Sequence, residues 1–476
     1  MPIAVKEWVQ DAWLRPGVEL WRKNGDFLEV SNLIPTRDGL QLVRTPAWSA
    51  QVRTDTNGLT DVRGAFFDAD NDRIVLVGAD GSGDLASAYL SSAWSLSSNT
   101  TLNSTPTNLG GCSMRNVAWF GGVLYAVGSN GKLYSGSSYT GALTSFNANT
   151  WHHSLAPIDE RLYSCSVAGR IDMTNYDNSS LTVYDAPIND LGTPMFFSGY
   201  RGYGLLITQD AEGLIRCIRV PLDASTKYFQ ELTTLHEYGV LPDYGSLACF
   251  HDDEIYFSPG YYTRMGSENA LNVYAFNGSY ARHVAEIRHD PNTGGSGFPT
   301  AAGLLSWRGE LLYYAMEGTA QIFKVLRGER FAEFATLSAT ASAQPFAAVV
   351  GGHLIATADD TNEGIHYLQD TAADDGYVIT PRLDMGSPGR EKRLSRIAVL
   401  LSDAATSFGC KVEYRVNDTA AWTSGGTDSN TQRAEVSDLG VSFYTLQVKV
   451  TLDDDTGSNE DIRIDALSVI YSIGEG

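Results

Sequence analysis

The chain offers little sulfur chemistry. Its five cysteines, Cys112, Cys165, Cys217, Cys249 and Cys410, are far apart, odd in number and without a Cys-x-x-Cys pair. That pattern excludes a disulfide framework and a zinc ribbon. Four of them fall in apolar stretches, where free cysteine behaves as a small core residue. No run approaches the roughly 20 apolar residues of a membrane-crossing helix. The opening Met-Pro-Ile-Ala-Val-Lys-Glu-Trp lacks the apolar centre of a secretion signal, so synthesis in a reducing cytoplasm is expected. Positive charge is scarce: 34 Lys and Arg stand against 56 Asp and Glu, a net charge of −22. Such a surface gains no affinity from neutralising phosphates, which leaves nucleic acid at most a passenger that slides by without sticking.

What is abundant is glycine (47 residues) and aromatic side chains (11%), in a chain 43% hydrophobic and only 19% charged. This composition excludes disorder and suits many short strands joined by tight turns. One pattern recurs: an apolar pair, a polar or glycine turn, then an apolar run. Clear copies are Ala118–Val127, Ala156–Tyr163, Ser306–Tyr313 and Val349–Ala356; looser ones begin at Phe66, Phe197 and Cys249. The first apolar residue after each turn falls at 74, 124, 162, 205, 255, 311 and 354, at intervals of 38 to 56 residues. Strands linked by turns rich in glycine and Asn, repeating at that period, predict antiparallel blades of a β-propeller. The copies indicate about seven blades; six or eight fit the uneven spacing as well, and a pair of sandwiches is the alternative architecture.

The last 90 or so residues read differently. Val412–Val416, Leu446–Leu452 and Ile462–Ile464 alternate with period two, as in a β-sandwich. Pro381, Gly386, Pro388 and Gly389 mark the boundary. The expected organisation is therefore 1–60 closing or flanking the propeller, 61–380 the propeller and 381–476 the sandwich.

No catalytic motif stands out. His152-His153-Ser154 would place neighbouring side chains on opposite faces of a strand, and a Gly-x-Ser-x-Gly turn is absent. Asp68-x-Asp70-x-Asp72 starts like a calcium loop, but Arg73 replaces the glycine and Ala79 the final glutamate, so a solvated hairpin turn is expected. Asp453-Asp454-Asp455 reads as an acidic turn, and His251-Asp252-Asp253-Glu254 as the turn of a repeat copy. Propeller glycosidases need paired carboxylates, and spacing singles out no such pair here. No metal, cofactor or catalytic residue is assigned. One cluster runs against the chain's acidity: Arg390, Lys392, Arg393 and Arg396. It is either a solvated edge or a docking patch for an acidic surface, such as that of a neighbouring copy.

The stretches Val18–Trp21, Ser31–Leu40 (Asn-x-x-Pro, then Gly-Leu) and Arg44-Thr45-Pro46 resemble the start of tail hub, or nozzle, proteins of short-tailed bacteriophages. Leu383–Gly386, Gly389–Leu394 and Val412–Arg415 ending at Trp422 are similar to phage tail proteins, so the resemblance spans nearly the whole chain. It implies a non-enzymatic virion protein assembled in the host cytoplasm. Its copies would form a six-fold ring against portal, adaptor or other tail proteins and continue the channel through which DNA passes. The alternative expectations are a receptor- or glycan-binding propeller and, behind it, a propeller glycosidase.

Overall fold

The computed structural model describes residues 5–10, 29–31, 33–35, 41–49, 59–103, 117–128, 131–145, 152–159, 161–166, 171–175, 181–184, 192–222, 229–242, 245–263, 269–289, 298–299, 301–317, 320–327, 330–338, 346–357, 365–372, 376–402, 409–417, 419–429, 433–453 and 463–473. Among them there are strands and turns but no α-helix. The chain divides into two units: Ser49–Phe331 with Thr336–Tyr367, and Met1–Trp48 with Ala332–Ala335 and Leu368–Gly476.

The first of these is a seven-bladed propeller. Its seven small antiparallel sheets have first strands Leu59–Asp68, Val117–Phe120, His152–Ile158, Thr193–Tyr200, Ala248–His251, Ala302–Trp307 and Ala347–Val350. Each first strand neighbours the next in that order, and the seventh neighbours the first, so the ring of blades closes. All seven positions of the sequence repeat fall in the second strand of a blade. Leu124, Leu162, Leu205, Ile255 and Leu354 have no measurable exposure, while Ile74 and Leu311 retain 5% and 2%. Burying each such side chain between blades stabilises the ring by about 1.5–3 kcal/mol.

The hairpins between first and second strands explain the turn chemistry. Gly121-Gly122, Arg201-Gly202, Asp252-Asp253, Arg308-Gly309 and Gly351-Gly352 have positive φ at both residues, as two-residue hairpin turns matched to strand twist require. The fourth blade is slipped by one residue. The inward position after its turn is Gly204, where a Cβ would meet Phe197, Val220 and Leu222 at 3.1–3.3 Å. The apolar repeat there starts at Leu205 for that reason.

The seventh sheet takes its fourth strand from Pro46–Trp48, which pairs with Ile365–Ala372. Beside it the Ser49 amide donates to Tyr367 O (2.9 Å), and Tyr367 N donates to Ser49 Oγ (3.0 Å). This part of the N-terminal segment closes the last blade.

The second unit draws on both ends of the chain, so the expected boundaries at 60 and 380 do not hold. In one sheet, Leu42–Arg44 and Val5–Gln10 pair with Arg463–Ile473, which pairs in turn with Lys392–Ser402 and through it joins Arg433–Phe443. In the other, Glu29–Ser31 pairs with Gly376–Ile379, followed by Leu446–Asp453, Gly409–Val416 and Thr423–Ser429. The two sheets share one core, to which Leu33 and Leu42 contribute alongside Val378, Leu394, Val450 and Leu467. The physical reason is plain: the short N-terminal strands carry too little apolar surface for a core of their own.

Candidate interaction surfaces

The strand Lys392–Ser402 separates the four cations of the basic cluster. Its side chains alternate, with a register shift between Leu394 and Arg396. Lys392 and Leu394 therefore point inward, at 1% and 0% exposure. The Lys392 ammonium donates to the carbonyls of Ser387 (2.8 Å), Arg390 (2.8 Å) and Tyr444 (3.2 Å), and lies over the Phe443 ring. Burial lowers its pKa from the ordinary lysine value, with Asp384 opposing. Arg396 is paired with Glu435 at 3.1 Å, both about a third exposed. Of the four cations read as either a solvated edge or a docking patch, two are not available at the surface. Lys392 is an internal clasp for the Asp384–Arg390 turn, and Arg396 is committed within the sheet. Arg390 and Arg393 stay exposed, and Tyr444, at the end of the neighbouring strand, is half-exposed (49%).

The acidic motifs are structural where they are described. Asp68 is buried (2%) and accepts hydrogen bonds from Tyr139 Oη (2.6 Å), Asn71 Nδ2 (2.8 Å) and the Asp70 amide (3.2 Å). Burial pushes its carboxyl up, but the bonds from Tyr139, Asn71 and Asp70 outweigh it and hold the pKa below the usual value. Asp454 and Asp455 lie outside the described residues, and of the side chains of His152–Ser154 only the backbone setting, beside a bulge at the start of a blade, is described. No group of three or more His, Cys, Asp or Glu able to hold a metal occurs among the described residues. Cys217 is a free core thiol whose pKa burial pushes up to about 12.

At the seam of the fifth and sixth blades, His251 is buried (7%), with Nδ1 3.0 Å from Ser306 Oγ and Nε2 3.4 Å from Asp252 Oδ2. Nucleophile, base and acid stand in sequence, yet Asp252 is 64% exposed and cannot fix the imidazole as a buried triad acid does. The corresponding seams are packed by Ile158 against Gly199 and by Tyr200 against Phe250. His251–Ser306 is their polar counterpart, a stitch between blades.

At the fourth seam the hairpin ends gather exposed aromatics. Arg201 lies over Tyr200 (5.0 Å) and donates to Asn277 O (3.0 Å). Tyr200 Oη donates to Asp253 O (3.2 Å), and its ring meets Phe250 edge-on. Phe250 and Tyr280 are 49% and 56% exposed. On the outer strands of the fifth blade a polar chain runs through Tyr274, Asn272, Tyr262, Glu286 and Arg288, joined by Glu237 from the end of the fourth blade's last strand. Glu237 accepts from Asn272 (2.7 Å) and Tyr274 (2.9 Å), and Glu286 from Tyr262 (2.8 Å) and Arg288 (2.6 Å). Sequence reasoning found neither surface, because period-two patterns do not tell a seam-facing aromatic from an exposed one.

No family model matches the sequence, and no curated protein matches it. Solved structures are similar at low identity. A chain of the mitotic checkpoint complex is 11% identical over 71% of this chain and 95% of its own, with a TM-score of 0.43. The WD40 β-propeller domain of Doa1 is 12% identical over 68% and 97%, with a TM-score of 0.43. The computationally designed Ika8 protein is 11% identical over 68% and 98%, with a TM-score of 0.41. The propeller assignment rests on the sheet order and ring closure described above.

Proposed function

We propose that this chain is a non-enzymatic structural protein of a short-tailed bacteriophage tail, assembling as a ring that continues the DNA channel. One observation carries the reading. Of the stretches that resemble tail proteins, Ser31–Leu40 contributes Leu33–Pro35 and Gly389–Leu394 contributes Lys392–Leu394 to strands of the second unit, some 350 residues apart in the chain. In the fold they belong to one sheet, joined through Arg463–Ile473. Two short similarities at opposite ends of a chain are therefore parts of one unit. The net charge of −22 suits a passage for DNA, since like charge opposes adhesion of phosphates. Peptide mass spectrometry of purified tailed particles from the source tests the assignment. The chain is expected among the tail proteins, and its absence from intact particles that carry tails would contradict the reading.

A glycan-binding role is favoured by one feature, the Tyr274–Glu237–Asn272–Tyr262–Glu286 chain with the exposed Tyr238 nearby. Amide, carboxylate and tyrosine groups gathered between two neighbouring blades are the chemistry that receives sugar hydroxyls. Glycan-array binding by the monomer, lost in Glu237→Gln, would support this second reading.

A further inference from the structure

Exposed aromatics of the two units accompany exposed charges of opposite sign. On the propeller, Phe250 and Tyr280 flank the Asp252-Asp253 turn, and Tyr200 and Arg201 tie all of these into one surface through Asp253 O and Asn277 O. Arg201 spends its donors on carbonyls, and Glu254 is neutralised by Arg282. The outstanding charge is that of Asp252 and Asp253, both exposed. On the second unit, Arg390 and Arg393 are exposed cations with no ion pair among the described residues, and the half-exposed Tyr444 is tied to Arg390 by the Lys392 ammonium, which both backbone carbonyls share. Both surfaces have the composition of interface hot spots, aromatic side chains with arginine or its complement.

We propose that these two surfaces bind each other between copies of the chain, the Arg390/Arg393/Tyr444 surface of one copy docking on the Phe250/Tyr280/Asp252/Asp253 surface of the next. The inference rests on the ring reading above and names its contact. The occupant follows from charge complementarity: an acidic chain repels its copies, and its exposed arginines match its own acidic, aromatic turn. A contact between two different surfaces is head-to-tail, the kind that builds rings or filaments rather than a closed dimer. The turn supports selection for charge. Asp252 and Asp253 both hold positive φ, φ 45 and φ 62, where Asn-Gly would relax the backbone.

The test uses the full chain, by analytical ultracentrifugation at low ionic strength. Arg390→Glu with Arg393→Glu is expected to weaken self-association by about tenfold or more, as is Asp252→Lys with Asp253→Lys. The four changes together should restore it, since the charges are then exchanged. Because lysine is strained in this turn, Asp252→Asn with Asp253→Gly serves as a second variant that keeps the fold and removes the charge; it too should weaken association. Assemblies indifferent to every charge variant would overturn this contact while leaving the ring standing. A wild-type chain that stays monomeric alone would overturn this contact, and one that forms no ring on a portal complex either would overturn the ring reading as well.

Discussion

Replacing Lys392 with methionine separates a structural lysine from a docking lysine. Methionine keeps the apolar stem against Phe443 and removes the ammonium that serves the carbonyls of Ser387, Arg390 and Tyr444. A carbonyl left without its donor costs about 1 kcal/mol when buried, and three such losses, partly offset by the relieved desolvation of the charge, come to about 2–3 kcal/mol. For a unit of this size that is a fall in Tm of about 4–12 °C. Differential scanning calorimetry should record it in Lys392→Met, while Arg393→Met, an exposed neighbour, changes stability by about 0.5 kcal/mol or less. Burial lowers the Lys392 pKa, so the charge is easier to carry unfolded than folded. Its contribution to stability therefore rises with pH, from the lowered folded pKa up to the ordinary lysine value, and this slope should vanish in Lys392→Met. Equal melting of Lys392→Met and Arg393→Met would refute the clasp and return Lys392 to the surface.

Other outcomes follow from the same contacts. Asp252→Asn with Asp253→Gly relieves two strained residues and should raise propeller stability by about 1–2 kcal/mol in urea unfolding; a loss of stability would mean that the acidic pair is needed for the turn itself. Tyr139→Phe removes the short bond to Asp68 and should cost about 1–2 kcal/mol at neutral pH. The Asp68 pKa lies below its ordinary value, so its stabilisation is present above that value and is lost as pH falls through the lowered one. Tyr139→Phe should flatten that acid limb. Tyr261, Tyr313 and Tyr314 are buried and their pKa values pushed up, so their contribution is intact below the ordinary tyrosine pKa and lost as pH rises above it. Alkaline unfolding followed by tyrosinate absorbance should be cooperative, and gradual ionisation of the folded chain would contradict this burial.

The blades were readable in the sequence because a hairpin between stacked sheets forces a local signature: glycine or Asp at positive φ, then an inward apolar residue, as at Gly121–Leu124 and Gly351–Leu354. Leu205 read as the equivalent position only because Gly204, needed for close packing, hides the register. The second unit was half readable. Alternation marked Val412–Val416 and Leu446–Leu452, but pairing of Leu42–Arg44 with Arg463–Ile473 is non-local and leaves no periodic trace. Lys392 misled for a related reason. A lysine among arginines looks like surface charge until strand alternation and three carbonyl acceptors place it inside. The aromatic surface at Tyr200, Phe250 and Tyr280 depends on two hairpin ends of one blade meeting a third from its neighbour, which only the folded ring defines.

If copies of this chain build a ring, mass measurement combined with negative-stain imaging of the purified protein will show it. Closed rings of uniform copy number with an open centre are expected, formed by the chain alone or on a portal complex. A particle that remains a monomer under both conditions would contradict the ring reading.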